Sequence, residues 1–369
     1  MPPIPLEPVD SATITTLVDN ASDMLLPDQG PAKRPSLGDS TAPRLRAAFL
    51  EGGETLDAPL AEHGFSALIT IRKNDSERRV LFDAGLTPDG LAENMRRLSV
   101  SPKGIEAIVL SHGHFDHTTG LDGLVRALGR ANLPVIIHPE FWSRRRITIP
   151  GREPFELPST SKSALRGAGF EIVEERQPSF LLDGSLLVTG EVDRSTEFEK
   201  GFPVHQAFRD EEWRPDPLIL DDQAAVLNVR DKGLVVMTGC GHAGIVNIVR
   251  YARKLTGVEQ VYAVIGGFHL NGPLFEPIIA ATCKALAELA PHAGCGVAVD
   301  AAGDESASSV ESRAARPQCH GIRAQPVHTS SRVPPVASAT RSQREVQTYP
   351  HLPPYEDDDE MRRSDSYRT

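Results

Sequence analysis

Three imidazoles and a carboxylate fall within six consecutive positions of this chain, His112-Gly113-His114-Phe115-Asp116-His117. They follow directly on Ile105–Leu110, whose apolar, β-branched character suits a buried strand. This pairing constrains the fold more than any other feature, because a strand has to end where several ligand-type side chains gather. On a loop leaving a strand, His112 and His114 can point the same way, and a turn then brings Asp116 and His117 round as a second ligand set. Imidazole and carboxylate donors suit Zn²⁺, Fe and Mn²⁺. A solvated histidine cluster without a ligand role is the alternative, and the buried strand before it counts against that.

The surrounding pattern alternates short strands with helices. Thr13–Val18 reads as a strand ending at Asp19-Asn20, and 28–58, with several Pro and Gly, as a long irregular insertion. Ser66–Ile71 and Val80–Phe82 are predicted strands joined by the polar turn Lys73–Arg79. Asp89–Leu98 has Leu91, Met95 and Leu98 at helical spacing; Gly120–Leu128 is a second helix and Pro134–Ile137 a buried strand. In the second half, Leu181–Val188 reads as a hairpin about Asp183-Gly184. Ala224–Val229 and Leu234–Thr238 make another, followed by helix Ile245–Leu255, strand Val261–Ile265 and helix Pro277–Leu289. Two β-rich halves, each with its own helices, predict an α/β sandwich with two sheets face to face and helices outside, not a doubly wound parallel sheet.

Composition bounds the function. The 369 residues carry 39 Lys+Arg against 50 Asp+Glu, a formal charge of −11, which disfavours a nucleic-acid backbone as the main partner. No run approaches about 18 uninterrupted apolar residues, so no transmembrane helix is expected. Met1–Pro8 lacks a basic region followed by an apolar run, which argues against a secretory signal. Four cysteines, Cys240, Cys283, Cys295 and Cys319, are too few and too scattered for a disulfide framework or a zinc finger, so a cytoplasmic location is expected. Residues 301–369 hold nine Arg, no Lys and ten Asp or Glu, with only seven Leu, Ile, Val or Phe. At that apolar content a packed core is not expected.

Further strand-end segments carry candidate ligands. Thr238-Gly239-Cys240-Gly241-His242-Ala243-Gly244 sits between a strand and a helix, where small residues allow close approach and His242 can complete a metal site. Cys240 itself reads as a small buried strand-end residue. Gly266-Gly267-Phe268-His269-Leu270 offers another strand-end histidine, and Asp221-Asp222-Gln223 offers Asp222 as a bridging carboxylate or simply a turn cap. Arg144–Arg146 reads as a solvated loop, while His138 and His205 could line a pocket without their spacing demanding it.

Taken together, the His-x-His-x-Asp-His segment and Val80-Leu81-Phe82-Asp83-Ala84-Gly85 resemble the metallo-β-lactamase superfamily. The resemblance implies an αββα sandwich with a one- or two-metal site along the sheet edges, and Asp83 bracing the histidine loop. Glu62-His63-Gly64-Phe65-Ser66, the Thr-Gly-Cys-Gly-His-Ala-Gly segment and Gly-Gly-Phe-His-Leu narrow it to the dihydropterin aminobenzene-phosphate synthase-like branch. Arg194–Pro203, with Glu197 and Lys200, is similar to that branch's substrate-side loop, so Glu197, Lys200 and His63 are expected to contact substrate. The likeness covers about residues 10–290, giving a metallo-β-lactamase-like domain over 10–295 and a low-complexity, disordered tail over 296–369. Relatives carry a further His-Cys-Thr-Gly motif and another strand after the last helix. Here Ala293-Gly294-Cys295-Gly296 leads into the tail, and Cys319-His320-Gly321 is a poor substitute. The tail is read either as a gene-model artefact or as true loss of one site wall.

The resemblance implies one or two divalent ions, Zn first, with Mn or Fe as alternatives. His112, His114 and His242 would hold the first, and Asp116 and His117 with Asp222 the second. Such ions bring the pKa of bound water to about 7. The chemistry expected is therefore hydrolysis of a small-molecule ester, lactone or phosphoester, or a related transfer, with Asp116 and His269 handling protons. Two rivals remain: a catalytically impaired metal- or ligand-binding protein, and an iron-dependent oxidoreductase on the same fold. No nucleic-acid or membrane partner is expected, and the sequence does not define the oligomeric state.

Overall fold

The structure, a computed structural model, describes residues 3, 5–26, 28, 31–34, 43–129, 131–289 and, as backbone alone, 296–298. In chain order, β1 (Ser11–Val18) precedes a small exposed hairpin, β2 (Arg44–Arg46) and β3 (Glu54–Leu56), in the segment expected to be irregular. β4 (Ser66–Lys73) and β5 (Ser76–Phe82) form a hairpin, followed by α1 (Gly90–Arg97), β6 (Ile105–Val109), α2 (Leu121–Leu128) and β7 (Pro134–Ile137). Next come β8 (Arg145–Ile147), β9 (Phe155–Glu156), α3 (Lys162–Gly167) and β10 (Glu171–Glu174). β11 (Ser179–Leu181) and β12 (Leu186–Val188) make a hairpin, as do β13 (His205–Arg209) and β14 (Glu212–Pro215), and β15 (Ala225–Val229) and β16 (Gly233–Thr238). The described residues close with α4 (Ile245–Thr256), β17 (Val261–Gly266), α5 (Glu276–Leu289) and β18 (Gly296–Ala298).

Two six-stranded mixed sheets result, ordered β1-β4-β5-β6-β7-β10 and β11-β12-β15-β16-β17-β18. Alternate residues of each strand point to opposite faces. Ala67, Ile69 and Ile71 of β4, Val80 and Phe82 of β5, and Ala107 and Val109 of β6 meet Val188, Ala225, Leu227, Val235 and Met237 of the second sheet in one buried cluster. The intervening residues Leu68, Leu81 and Ile108 face outward and are covered by Leu91 and Met95 of α1 and Leu121 and Leu124 of α2. On the far side, Val226, Leu234 and Val236 pack on Ile248, Ala252 and Leu255 of α4. This is the αββα sandwich the sequence predicts.

Three features depart from the sequence reading. A four-stranded sheet, β14-β13-β8-β9, stands apart from the two main ones. Gly296–Ala298 pairs parallel with Val264–Gly266 of β17, so backbone assigned to the tail extends the second sheet by a strand. The remainder of the predicted tail, 299–369, lies outside the described residues, as do 290–295. Finally, Arg145 is not solvated: at the start of β8 it turns inward to 2% exposure. Among the described residues no helix is long and apolar enough to cross a membrane.

Candidate metal centre

The histidine loop runs from the end of β6 through a single helical turn, Phe115–His117, into α2. Asp83, just past β5, holds it from below. It takes a left-handed φ of 55°, which Asp tolerates better than most residues, and is fully buried. One carboxylate oxygen accepts from the Ser111 amide at 2.6 Å; the other accepts from Ser111 Oγ and from His117 Nδ1, both at 2.7 Å. Because the carboxylate only accepts, His117 Nδ1 carries hydrogen, and Nε2 faces Cys240 Sγ at 3.0 Å. The Ser111 hydroxyl has spent its single proton on Asp83, so it accepts from His112 Nδ1 at 2.9 Å. His112 Nε2 is therefore left with its lone pair, buried and without a hydrogen-bond partner among the described residues. Fixing a ligating imidazole through its other nitrogen is how proteins orient metal-binding histidines.

The second sheet contributes from the end of β16. Gly239 is required there, because a Cβ would come within 2.1 Å of Ser111 Oγ. This close approach of the two sheet edges sets Cys240 and His242 against the histidine loop. Two donor groups converge: His112, Cys240 and His242, and Asp116, His117 and Cys240, each with ligand atoms within 4.8 Å of one another. His242 Nε2, like His112 Nε2, is buried and lacks a hydrogen-bond partner among the described residues. Asp222 stands beside these groups rather than within them. Its Oδ2 accepts from the Ala243 amide at 2.7 Å and so anchors the His242 loop, while Oδ1 is 4.0 Å from His112 Nδ1.

The separate sheet supplies a residue the sequence reading left as pocket lining. His205, at the start of β13, donates Nδ1–H to the Asp216 carbonyl at 3.0 Å and sets its Nε2 3.0 Å from His114 Nε2. Nothing in its local spacing marks it, since 91 residues separate the two rings. Cys240 was visible but reads as a structural residue, because its partners come from a different sheet. Arg145 and Asp221 are the support for this wall: Arg145 Nη2 reaches Asp221 Oδ1 at 2.5 Å, and Asp221 Oδ2 accepts from the Gly113 amide at 2.8 Å. Gly113 admits no side chain here, its Cβ direction meeting the Phe141 carbonyl at 2.1 Å.

The expected substrate and proton-handling residues divide. His63, largely exposed, sets Nε2 3.3 Å from Asp116 Oδ2. His269 takes a left-handed φ of 47°, and its ring centre lies 4.6 Å from that of His242. Glu197 and Lys200 are exposed, and no contact of the described residues ties them to the histidines. Their loop is stitched instead to the start of α4: Glu199 accepts from the Val246 and Asn247 amides at 2.8 and 2.9 Å, and Asn247 Oδ1 accepts from the Ser195 and Thr196 amides. This loop presents Phe202 to the cluster, stacked 6.2 Å from His242 and 6.1 Å from His205, and Arg194 Nη1 donates to the His242 carbonyl at 3.1 Å.

The electrostatics follow the burial. Desolvation first, and then neighbouring histidines, hold His112, His114 and His242 well below the ordinary imidazole value, so they are neutral. Burial opposes a charge on His117 too, yet Cys240, Asp116 and Asp83 outweigh it and hold that imidazole well above its ordinary value. Burial likewise works against the charge on Asp116, and His117 and His63 overcome it, keeping the carboxylate ionised. Burial pushes Asp222 up to about 7. Orphaned, neutral nitrogens converging with a carboxylate and a thiol are a donor set that fits a divalent ion.

A strand-end His-x-His-x-Asp-His loop on an αββα sandwich, with its donors gathered between the sheet edges, defines a metallo-β-lactamase-type fold, and residues 61–253 match the Metallo-beta-lactamase superfamily, to which this chain belongs. It is 34% identical over 235 residues to 7,8-dihydropterin-6-methyl-4-(beta-D-ribofuranosyl)-aminobenzene-5'-phosphate synthase of Methanocaldococcus jannaschii, covering 62% of this chain and 78% of that one. It is also 35% identical over 213 residues to an uncharacterised protein of the same archaeon, covering 58% of this chain and 74% of that one. Among solved structures it is similar to Tm1679, described as a metal-dependent hydrolase of the β-lactamase superfamily. The TM-score is 0.52 at 24% identity, over 75% of this chain and 83% of that one.

Proposed function

We propose that this chain is a metal-dependent enzyme that hydrolyses a small-molecule ester, lactone or phosphoester. The observation that carries the reading is the pair of buried nitrogens, His112 Nε2 and His242 Nε2, which have no hydrogen-bond partner among the described residues. His112, His114, His205 and His242 would hold one ion, and Asp116 and His117 a second, Zn²⁺ being the first choice for this donor set. When bound, a divalent ion lowers the pKa of water toward 7 and polarises a carbonyl or phosphoryl oxygen. The chain's own part is to place and move protons. Asp116, kept anionic, can take a proton at Oδ2, and the exposed His63 beside it gives that proton a way to solvent. Phe202 and Phe275, packed around His269, keep water from one side of the cluster.

A related transfer reaction is a second reading, favoured by the name of the 34% identical archaeal relative, a synthase. A small molecule is favoured over nucleic acid because the net charge of −11 repels a phosphate backbone. A cytoplasmic setting is proposed on the same grounds as in the sequence. The test is metal quantification on wild type and His114→Ala, with turnover of generic lactone and phosphodiester substrates. Wild type is expected to carry one or two ions per chain and the variant fewer. Equal, negligible metal in both defeats the reading.

A further inference from the structure

We propose that Cys240 binds metal as a thiolate shared between the two donor groups, making the centre selective for thiophilic divalent ions over oxygen-seeking ones. The inference rests on the metal-centre reading and goes beyond it, naming a ligand and the ion class it selects. Cys240 is the single residue common to both convergent groups. Its Sγ lies 3.0 Å from His117 Nε2, a nitrogen aimed by the hydrogen bond from His117 Nδ1 to Asp83. On its other side are His112 Nε2 and His242 Nε2, on rings no more than 5% exposed and lacking hydrogen-bond partners among the described residues. These orphaned nitrogens point to a ligand independently of the thiol.

The backbone is shaped to put sulfur there. Gly239 on one side has no room for a side chain against Ser111. Gly241 on the other takes a left-handed φ of 65°, with the Gly267 carbonyl 2.9 Å from where a Cβ would sit. The step is a simple exchange: the S–H bond breaks, the sulfur lone pair binds the ion, and the proton leaves to buffer. Soft thiolate donors favour Zn²⁺, Co²⁺ and Cd²⁺, whereas carboxylate and carbonyl sets suit Mn²⁺ and Mg²⁺.

Cobalt titration of the metal-free full-length chain tests this, because Co²⁺ reports two things separately. Its visible d–d absorption shows that the ion is bound, and a near-ultraviolet sulfur-to-cobalt charge-transfer band shows that a thiolate is attached. Wild type is expected to show both, as is Cys283→Ser. Cys240→Ser, checked for folding by circular dichroism, should keep the visible absorption, lose the near-ultraviolet band, and bind Zn²⁺ at least about 10-fold more weakly with Mn²⁺ affinity little changed. Visible absorption without the charge-transfer band in wild type, or persistence of that band in Cys240→Ser, overturns the proposal while leaving the metal centre standing. Absence of any cobalt absorption in wild type overturns both.

Discussion

Asp83 fixes the histidine loop through three contacts, with the Ser111 amide, the Ser111 hydroxyl and His117 Nδ1. Asp83→Asn replaces an acceptor by a group that must also donate, so the tautomers of His117 and, through Ser111, of His112 are no longer dictated. Metal affinity is expected to fall by about 10–100-fold with the fold retained, measured by chelator competition and circular dichroism. Unchanged affinity would show that the histidines are oriented by something else. The cluster also sets a pH dependence for the metal-free chain. His112, His114 and His242 are held well below the ordinary value, so below about pH 6.5 the unfolded chain binds protons that the folded chain refuses. Stability therefore falls as the pH drops through that window. Asp222, raised to about 7, acts in the opposite direction between 3.8 and 7, and with His117 makes two groups against three. His117, held high, adds stability that is complete below about 6.5 and is lost as the pH rises past its folded-state value. The denaturant midpoint of metal-free protein should be lower near pH 5.5 than near pH 7, and the difference should shrink in His242→Asn.

Elements show where sequence pattern stops being informative. The two main sheets were legible because Ser66–Ile71, Val80–Phe82, Ala224–Val229 and Leu234–Thr238 are apolar enough to be buried on both faces, bounded by polar turns. The small sheet was not. β8 is three residues long and begins Arg-Arg, and β13 begins with His205, so neither carries an apolar signature. Arg145 is buried against Asp221, 76 residues away, a pairing that local spacing cannot reveal. That pair gives a sharp test. Arg145→Met leaves Asp221 buried and without its counter-charge, and should destabilise the chain by about 3–5 kcal/mol in urea titrations. Adding Asp221→Leu should recover part of the loss, though not all of it, since Asp221 Oδ2 also holds the Gly113 amide of the histidine loop. A single variant as stable as wild type would mean that the pair is replaceable. Glu199 shows the converse: its loop was legible by resemblance, but its role was not, because a carboxylate bonding the Val246 and Asn247 amides satisfies the start of α4 instead of meeting a substrate.

At the scale of the whole molecule, the donors come from three sheets that the chain assembles separately. His112, His114, Asp116 and His117 follow β6 of the first sheet, Cys240 and His242 follow β16 of the second, and His205 opens β13 of the third. In the unfolded chain these residues span 131 positions, from 112 to 242, and have no reason to meet. An ion held by donors from more than one of these sheets thus binds the folded state almost alone, and stabilises it by mass action, about 2.7 kcal/mol at a free concentration 100-fold above Kd. It would also offset the crowding of the neutral imidazoles of His112, His114 and His242, whose ring centres lie 4.5–5.0 Å apart. Thermal melts with added Zn²⁺ should therefore run several degrees above melts in a chelator, with the shift growing with free ion concentration. The shift should be much reduced in His112→Asn, which removes a ligand, and nearly intact in His138→Gln. His138 belongs to β7's end, where its Nδ1 accepts from the Glu140 amide at 3.1 Å, outside both donor groups. Identical melts in zinc and chelator would mean that these three sheets bring their histidines together without an ion to hold.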